Sequence, residues 1–240
     1  MVSFFGEVVF PSSRAFWDED EEDGNNENTV NQCAFTVRWV KNKPSHIKTL
    51  FVIESEMLID FAKSCLCQNS EEICVVEDER QKKVFIVHQI NKDVCLCMVS
   101  PWFDVKYSGK LVEKIFDIIS SAENTISLIS YHVSKFKSDE VPNVPSFLRM
   151  LSTKSGESFC KFKAPLLERP NIAFGVTAGV LSYAEFMGLP SILYILYTDN
   201  FVLDSKSVEP LLKLFTVMNC MPSNATLTGK GYFNKGNLYM

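Results

Sequence analysis

Apolar residues fall into short blocks separated by polar stretches, and the longest block comes late, from Pro165 to Asp199. Within it Val176, Val180, Leu181, Ala184 and Phe186 to Met187 recur at helical spacing. Small residues (Ala178, Gly179, Ala184) allow close approach, and Gly188-Leu189-Pro190 stops the run. Ser191 to Tyr197 then follows without a charge. It is too short for a helix core and has the continuous apolarity of a strand covered on both faces. Such a strand needs helices on either side, so this block predicts an α/β layer fold.

Upstream, Cys33 to Val40 alternates and a strand is predicted from near Lys48 to near Glu54. Ser55 is placed to cap a helix with Met57, Leu58, Phe61, Ala62, Cys65 and Leu66 on one face. Strands are predicted at Ile73 to Glu77, Lys83 to Ile90 and Val94 to Ser100, a helix at Leu111 to Ile119, and a strand at Thr125 to Tyr131. Lys135 to Val144 reads as a surface loop, Pro145 to Leu151 is short and amphipathic, and Ser152 to Ser158 is again a loop. Asp204 or Ser205 caps a last helix through Val208, Leu211, Leu212, Leu214 and Phe215.

The two ends differ from this body. Phe4, Phe5, Val8, Val9 and Phe10 precede an acidic, Asn-rich tract, Asp18 to Asn31, too polar to offset the entropy of ordering. The apolar segment before it is either an edge strand that folds back or a linear segment offered to a partner. Met221 to Asn237 is rich in Pro, Gly, Asn, Ser and Thr, a pliable stem for the last three residues. The expected organisation is an N-terminal arm over 1–31, one α/β domain over 32–220 and a C-terminal tail over 221–240.

At 240 residues and 46% hydrophobic content the chain suits one sizeable domain with tails. Its net charge of −5 includes six consecutive acids at Asp18 to Asp23, without which the rest sums to +1. A nearly neutral body argues against nucleic-acid binding, which needs a basic footprint. Eight cysteines without a secretory pattern point to a reducing compartment, and no run approaches a membrane span.

The central block, with Leu167-Glu168, Pro170-Asn171 and Ile172 leading through Leu181-Ser182-Tyr183 into Ile192 to Asp199, resembles the proteasome assembly chaperone 1 family. Phe4 to Val9, Ser13 to Ala15, Pro145 to Leu151 and the ending Leu238-Tyr239-Met240 are similar to it as well, in the same order. The resemblance implies a non-enzymatic chaperone that pairs with proteasome assembly chaperone 2 and binds the α ring of the 20S proteasome. It would promote ring assembly and block both ring-to-ring association and premature activator docking. It also implies a three-layer sandwich with a mixed, largely buried sheet like that of purine nucleoside phosphorylase, no cofactor, and a cytoplasmic location with the nucleus as a second one.

Leu238, Tyr239 and Met240 form the candidate docking site: an apolar side chain, an aromatic ring with a hydroxyl, and a terminal carboxylate that a lysine can pair. Burying the leucine contributes about 1.5 to 3 kcal/mol, a weak anchor alone. Linked to a docked body it becomes a second contact at high effective concentration. The resemblance implies that this tail enters a pocket between neighbouring α subunits.

Other constellations point to structure. Cys65, Cys67, Cys74, Cys95, Cys97 and His88 lack the two-residue gap common in zinc sites, and Cys95 and Cys97 share a strand face. Ser182 lies in a helical pattern without a nucleophile elbow, and Gly229-Lys230-Gly231 is too short for a P-loop. Glu168 and Arg169 suggest a turn with a local ion pair, an interface role being the alternative. The competing class is a nucleoside-type enzyme, for which Asp199 at a strand end is the ligand-facing acid. Glu54 and Glu56 after the first strong strand, with no glycine-rich cradle, oppose phosphate there. A third reading is a scaffold that uses the Pro165 to Tyr197 surface alone.

Overall fold

A computed structural model describes residues 34–44, 46–68, 70–138, 140–200 and 203–220. Phe4 to Phe10, the acidic tract and the segment 221–240 with its candidate residues Leu238, Tyr239 and Met240 lie outside them. Eight strands form one sheet: β1 Thr36–Trp39, β2 Ile47–Ile53, β3 Glu71–Glu77, β4 Lys83–Gln89, β5 Val94–Val99, β6 Ala122–His132, β7 Ser146–Ser152 and β8 Ser191–Thr198. The helices among the described residues are α1 Glu56–Cys65, α2 Ser108–Lys114, α3 Phe116–Ser120, α4 Val176–Phe186 and α5 Glu209–Val217.

The sheet order is β1-β3-β4-β5-β2-β6-β8-β7. Its centre, β5-β2-β6-β8, is parallel, while β1, β3 and β4 on one flank and β7 on the other pair antiparallel. The fold is therefore mixed α/β, as the alternation of predicted elements requires. β5 and β8 are buried along their whole length, as continuous apolar runs should be between two helical layers.

Each face has its own cover. Phe51, Ile53, Leu96, Ile126, Leu128, Ile192 and Tyr194 pack against α1 and α5. On the opposite face Leu50, Val52, Cys95 and Cys97 meet Leu111, Val112, Ile115 and Ile119 of the α2–α3 segment and Val176 and Val180 of α4. Farther along that face Ile129, Leu193, Ile195 and Tyr197 meet Ala178 and Leu181.

Helix ends follow the local chemistry. α4 closes with Gly188 at φ 69, where the Leu189 amide donates to the Ala184 carbonyl and the Gly188 amide to Glu185. That left-handed stop is the role predicted for the Gly-Leu-Pro break. Asn219, at φ 54, ends α5 in the same way. Asp204 accepts from the Ser207 and Lys206 amides at the turn leading into α5, which draws its carboxyl below the ordinary range.

Three local expectations change. The predicted helix Leu111 to Ile119 breaks at Ile115, whose φ −94, ψ 6 lies in the bridge region, so the chain turns toward β6. Pro145 to Leu151 becomes edge strand β7, because seven residues carry no decisive period and β8 offers a free edge. Ser55 stands before α1 but does not cap it. At φ 96 its hydroxyl is directed to Ser130 Oγ, 2.7 Å away, instead of to the helix amides.

Candidate functional site

Parallel strands place all their C-terminal ends along one rim of the sheet, where open α/β folds carry their sites. β2 lies where the connections part, since the helix after it covers one face and the helices after β5 the other. The rim segments are Glu54-Ser55 after β2, residues 100–107 after β5, 133–138 and 140–145 after β6 and 199–200 after β8. The start of α4 meets this rim at Glu54, through Thr177.

Glu54 decides what the rim can hold. Its Oε2 accepts from the Thr177 amide and the Thr177 hydroxyl, each at 2.9 Å, so the carboxylate occupies the N-terminus of α4. Gly175 at φ 96 makes this approach possible: a Cβ there would lie 2.5 Å from Glu54 Oε1. A helix N-terminus above parallel strand ends is the usual cradle for a phosphate. Here the protein's own acid fills it.

Beside this cap Tyr131 Oη donates to the Phe174 carbonyl at 3.1 Å and accepts from its amide at 3.0 Å. Their rings stack at 4.7 Å, and Lys135 Nζ lies 5.1 Å from the Phe174 ring. Burial pushes the Tyr131 hydroxyl's pKa up, which keeps it neutral and able to donate. Asn171 ties the same loop down, accepting from the Lys137 amide at 2.7 Å and donating to its carbonyl at 2.8 Å.

Around these fixed points the rim exposes large apolar side chains among charged ones such as Asp104, Lys106, Lys137 and Glu140. Trp102 is 91% exposed and Ile172 77%, and Val105, Val141, Val144 and Phe174 are exposed as well. Exposed aromatic and aliphatic side chains on a rigid frame suit contact with another protein more than turnover of a small polar molecule.

The residues singled out in the sequence separate in space. Asp199 is exposed in the bend after β8, a turn position. Cys74, Cys95 and Cys97 sit in the apolar core under α2 and α3, where burial raises the first two thiols to about 11 and lifts the third well above its ordinary value. His88 pairs with Leu96, whose side chain faces the α1 layer, so it points away from Cys95 and Cys97. His46 meets Glu123 at 3.1 Å and His132 meets Ser134 at 2.8 Å. Among the described residues no three His, Cys, Asp or Glu side chains converge as a metal site would require. Ser182 lies exposed on α4.

The expected Glu168 and Arg169 pair does not form. Glu168 instead receives Arg149 Nε at 2.9 Å from β7, which holds its carboxyl below the ordinary range. The Arg149 guanidinium lies 4.8 Å from both the Phe136 and Phe147 rings, and Arg169 is exposed next to a cis Pro170. Adjacent residues in a turn point apart, and the better-buried cation from the neighbouring strand takes the carboxylate. Sequence reasoning missed this pair and the Glu54 cap, since each joins residues far apart in the chain.

His88 gives a pH prediction. Burial lowers its pKa from the ordinary 6.5, with Lys63 and Lys83 acting the same way against the raising pull of Glu72, so between the two values the unfolded chain binds more protons than the folded one. The stability gained by keeping the ring neutral is full above 6.5 and lost as pH falls below it. Urea midpoints of the wild type should decline between about pH 7 and 5, and His88→Gln should flatten that slope. An unchanged slope would remove His88 from the acid sensitivity.

A family model described as Proteasome assembly chaperone 4 matches residues 49–228. Proteasome assembly chaperone 1 of Homo sapiens is 36% identical over 130 residues, 52% of this chain and 44% of that protein. That of Nematostella vectensis is 28% identical over 139 residues, 56% and 54% of the respective lengths. The chain spans about half the length of these relatives. Among solved structures, Pyrococcus furiosus PbaA, an archaeal homolog of proteasome-assembly chaperone, superposes with a TM-score of 0.57 over 78% of this chain and 88% of that one at 13% identity. A Thermoplasma acidophilum protein of unknown function gives 0.55 over 73% and 78% at 10% identity. These two show the shared fold. With a family model that runs from β2 past α5, over most of its length, this chain belongs to the proteasome assembly chaperone family.

Proposed function

We propose that the chain is a proteasome assembly chaperone that pairs with proteasome assembly chaperone 2 and binds the α ring of the 20S proteasome. There it promotes assembly, blocks off-pathway ring association and holds off activators. The observation that carries this reading is the family match over residues 49–228. The exposed rim of Trp102, Ile172 and Phe174 supports it, because a chaperone body needs apolar contact area and a fixed frame. Leu238, Tyr239 and Met240 are the docking residues, entering a pocket between α subunits and adding avidity to the body's contact. The chain works in the cytoplasm, with the nucleus a second location.

A nucleoside-type enzyme on a phosphorylase-like sheet is the weaker reading. The Glu54 carboxylate sits where an anionic substrate would need the α4 amides, and Asp199 faces solvent. No cofactor is assigned.

Pull-down of the full chain with its partner chaperone on isolated α rings tests the reading. Deleting Leu238–Met240 should weaken α-ring binding by about 10-fold or more while far-UV circular dichroism and the thermal midpoint stay unchanged. Equal binding by the truncated protein would overturn the docking role of those residues. Binding of neither form to α rings would overturn the chaperone reading itself.

A further inference from the structure

Of the eleven large apolar side chains exposed among the described residues, six lie on the strand-end rim: Trp102, Val105, Val141, Val144, Ile172 and Phe174. The other five are scattered over the body, so the rim is where the fold concentrates exposed apolar area.

Ile172 and Phe174 stand on a segment that is tied down along its length. Asn171 bonds the Lys137 backbone, Phe174 meets the Tyr131 hydroxyl through both its amide and its carbonyl, and Thr177 donates to Glu54. None of these partners is local: they lie 34, 43 and 123 positions away in the chain. The Phe174 ring is stacked on Tyr131 with an interplanar angle of 15°, and Lys135 Nζ lies 5.1 Å from one ring and 5.5 Å from the other. Tyr131, buried near the end of β6, therefore supplies both polar partners of Phe174 and the platform for its ring.

An apolar side chain on a free loop spends part of its binding energy on ordering, and one fixed beforehand does not. The charged side chains of the neighbouring segments, Lys135, Lys137, Glu140, Arg169 and Asp199, carry both signs, so the apolar pair rather than net charge makes the contact. Membership of the proteasome assembly chaperone family makes a proteasome subunit the occupant that such anchors serve.

We propose that Tyr131 is a positioning residue for contact with α subunits, holding Phe174 and Ile172 as preformed anchors on the face of the body that meets the ring. This rests on the α-ring reading above, and the test separates the two.

Surface plasmon resonance of the full chain with its partner chaperone over immobilised α rings reads the contact. Ile172→Glu, at an exposed position, should weaken binding about 100-fold, whereas Phe186→Glu, exposed outside the rim, should leave it unchanged. Tyr131→Phe keeps the ring and removes only the hydroxyl. It should speed hydrogen exchange at the Phe174 amide and weaken binding about 5-fold, through faster dissociation. With both anchors removed by Ile172→Ala and Phe174→Ala, the same Tyr131→Phe change should cost the remaining binding nothing. A merely structural role would give the same loss in both backgrounds, and that result would overturn the proposal, as would Ile172→Glu or Tyr131→Phe proteins that bind like the wild type. Variants that lose pairing with proteasome assembly chaperone 2 yet keep α-ring binding would overturn it too, assigning the anchors to that partner. A wild type that binds no α ring removes the α-ring reading itself, and this inference with it.

Discussion

Gly156→Ala is expected to cost about 3 kcal/mol or more, enough to take a large part of an ordinary domain's stability. The Gly156 Cα faces the Ser191 carbonyl at the start of β8, and an added Cβ would fall well inside contact distance of that backbone oxygen. Thr153 Oγ1 fixes both sides, accepting from the Gly156 amide at 2.9 Å and from the Ser191 amide at 3.0 Å. Neither partner is the free end of a side chain, so neither can move without losing these bonds. Gly109→Ala is the internal control: nothing lies within 4 Å of its Cβ position, and alanine suits a helix better than glycine, so stability should hold or rise by up to about 1 kcal/mol. Urea unfolding of both variants checks the contrast. A wild-type midpoint for Gly156→Ala would mean that the turn at 156–159 does not press on β8 as described.

Phe215→Ala carries the second large effect, about 3 to 5 kcal/mol. Its ring is fully buried, 5.3 Å from Phe51 of β2 and 5.7 Å from Phe61 of α1, so it joins α5 to both the sheet and the neighbouring helix. Truncation leaves a cavity between three elements, and closing it would require α5 to shift. Phe215→Leu keeps most of the volume and should lose less than half as much. Chemical denaturation resolves the two, and equal losses would show that ring geometry outweighs volume at this site.

The two effects differ in how far the sequence announces them. Phe215 stands on the apolar face of a helix whose period is visible in Leu211, Leu214 and Phe215. Gly156 lies in a stretch that reads only as a loop, and its partner Ser191 is thirty-five residues away. Steric exclusion between segments so distant leaves no periodic trace.

The same division holds for the candidate site. Glu54 argued in the sequence against a phosphate cradle at the end of β2, and the folded chain turns that acid into the cap of α4. Its direction could not be read beforehand, because it depends on where a helix more than a hundred residues later begins. Cys95 and Cys97 were readable as core thiols from strand period, and they are buried. The Arg149 and Glu168 pair was hidden by the nearer Arg169, since neighbouring positions favour a local partner until β7 takes its place at the sheet edge.

By itself the sequence determined the layer class, the buried strand β8, the helix and stop before it, and the family. These follow from hydrophobic period, glycine and proline punctuation, and a block of residues contiguous in the chain. Only the tertiary structure decided the antiparallel flanks of the sheet, the conversion of Pro145 to Leu151 into an edge strand and the plugging of the strand-end rim by Glu54. Those depend on which strands become neighbours and which helix start lands on which strand end, contacts between distant segments that no local pattern encodes.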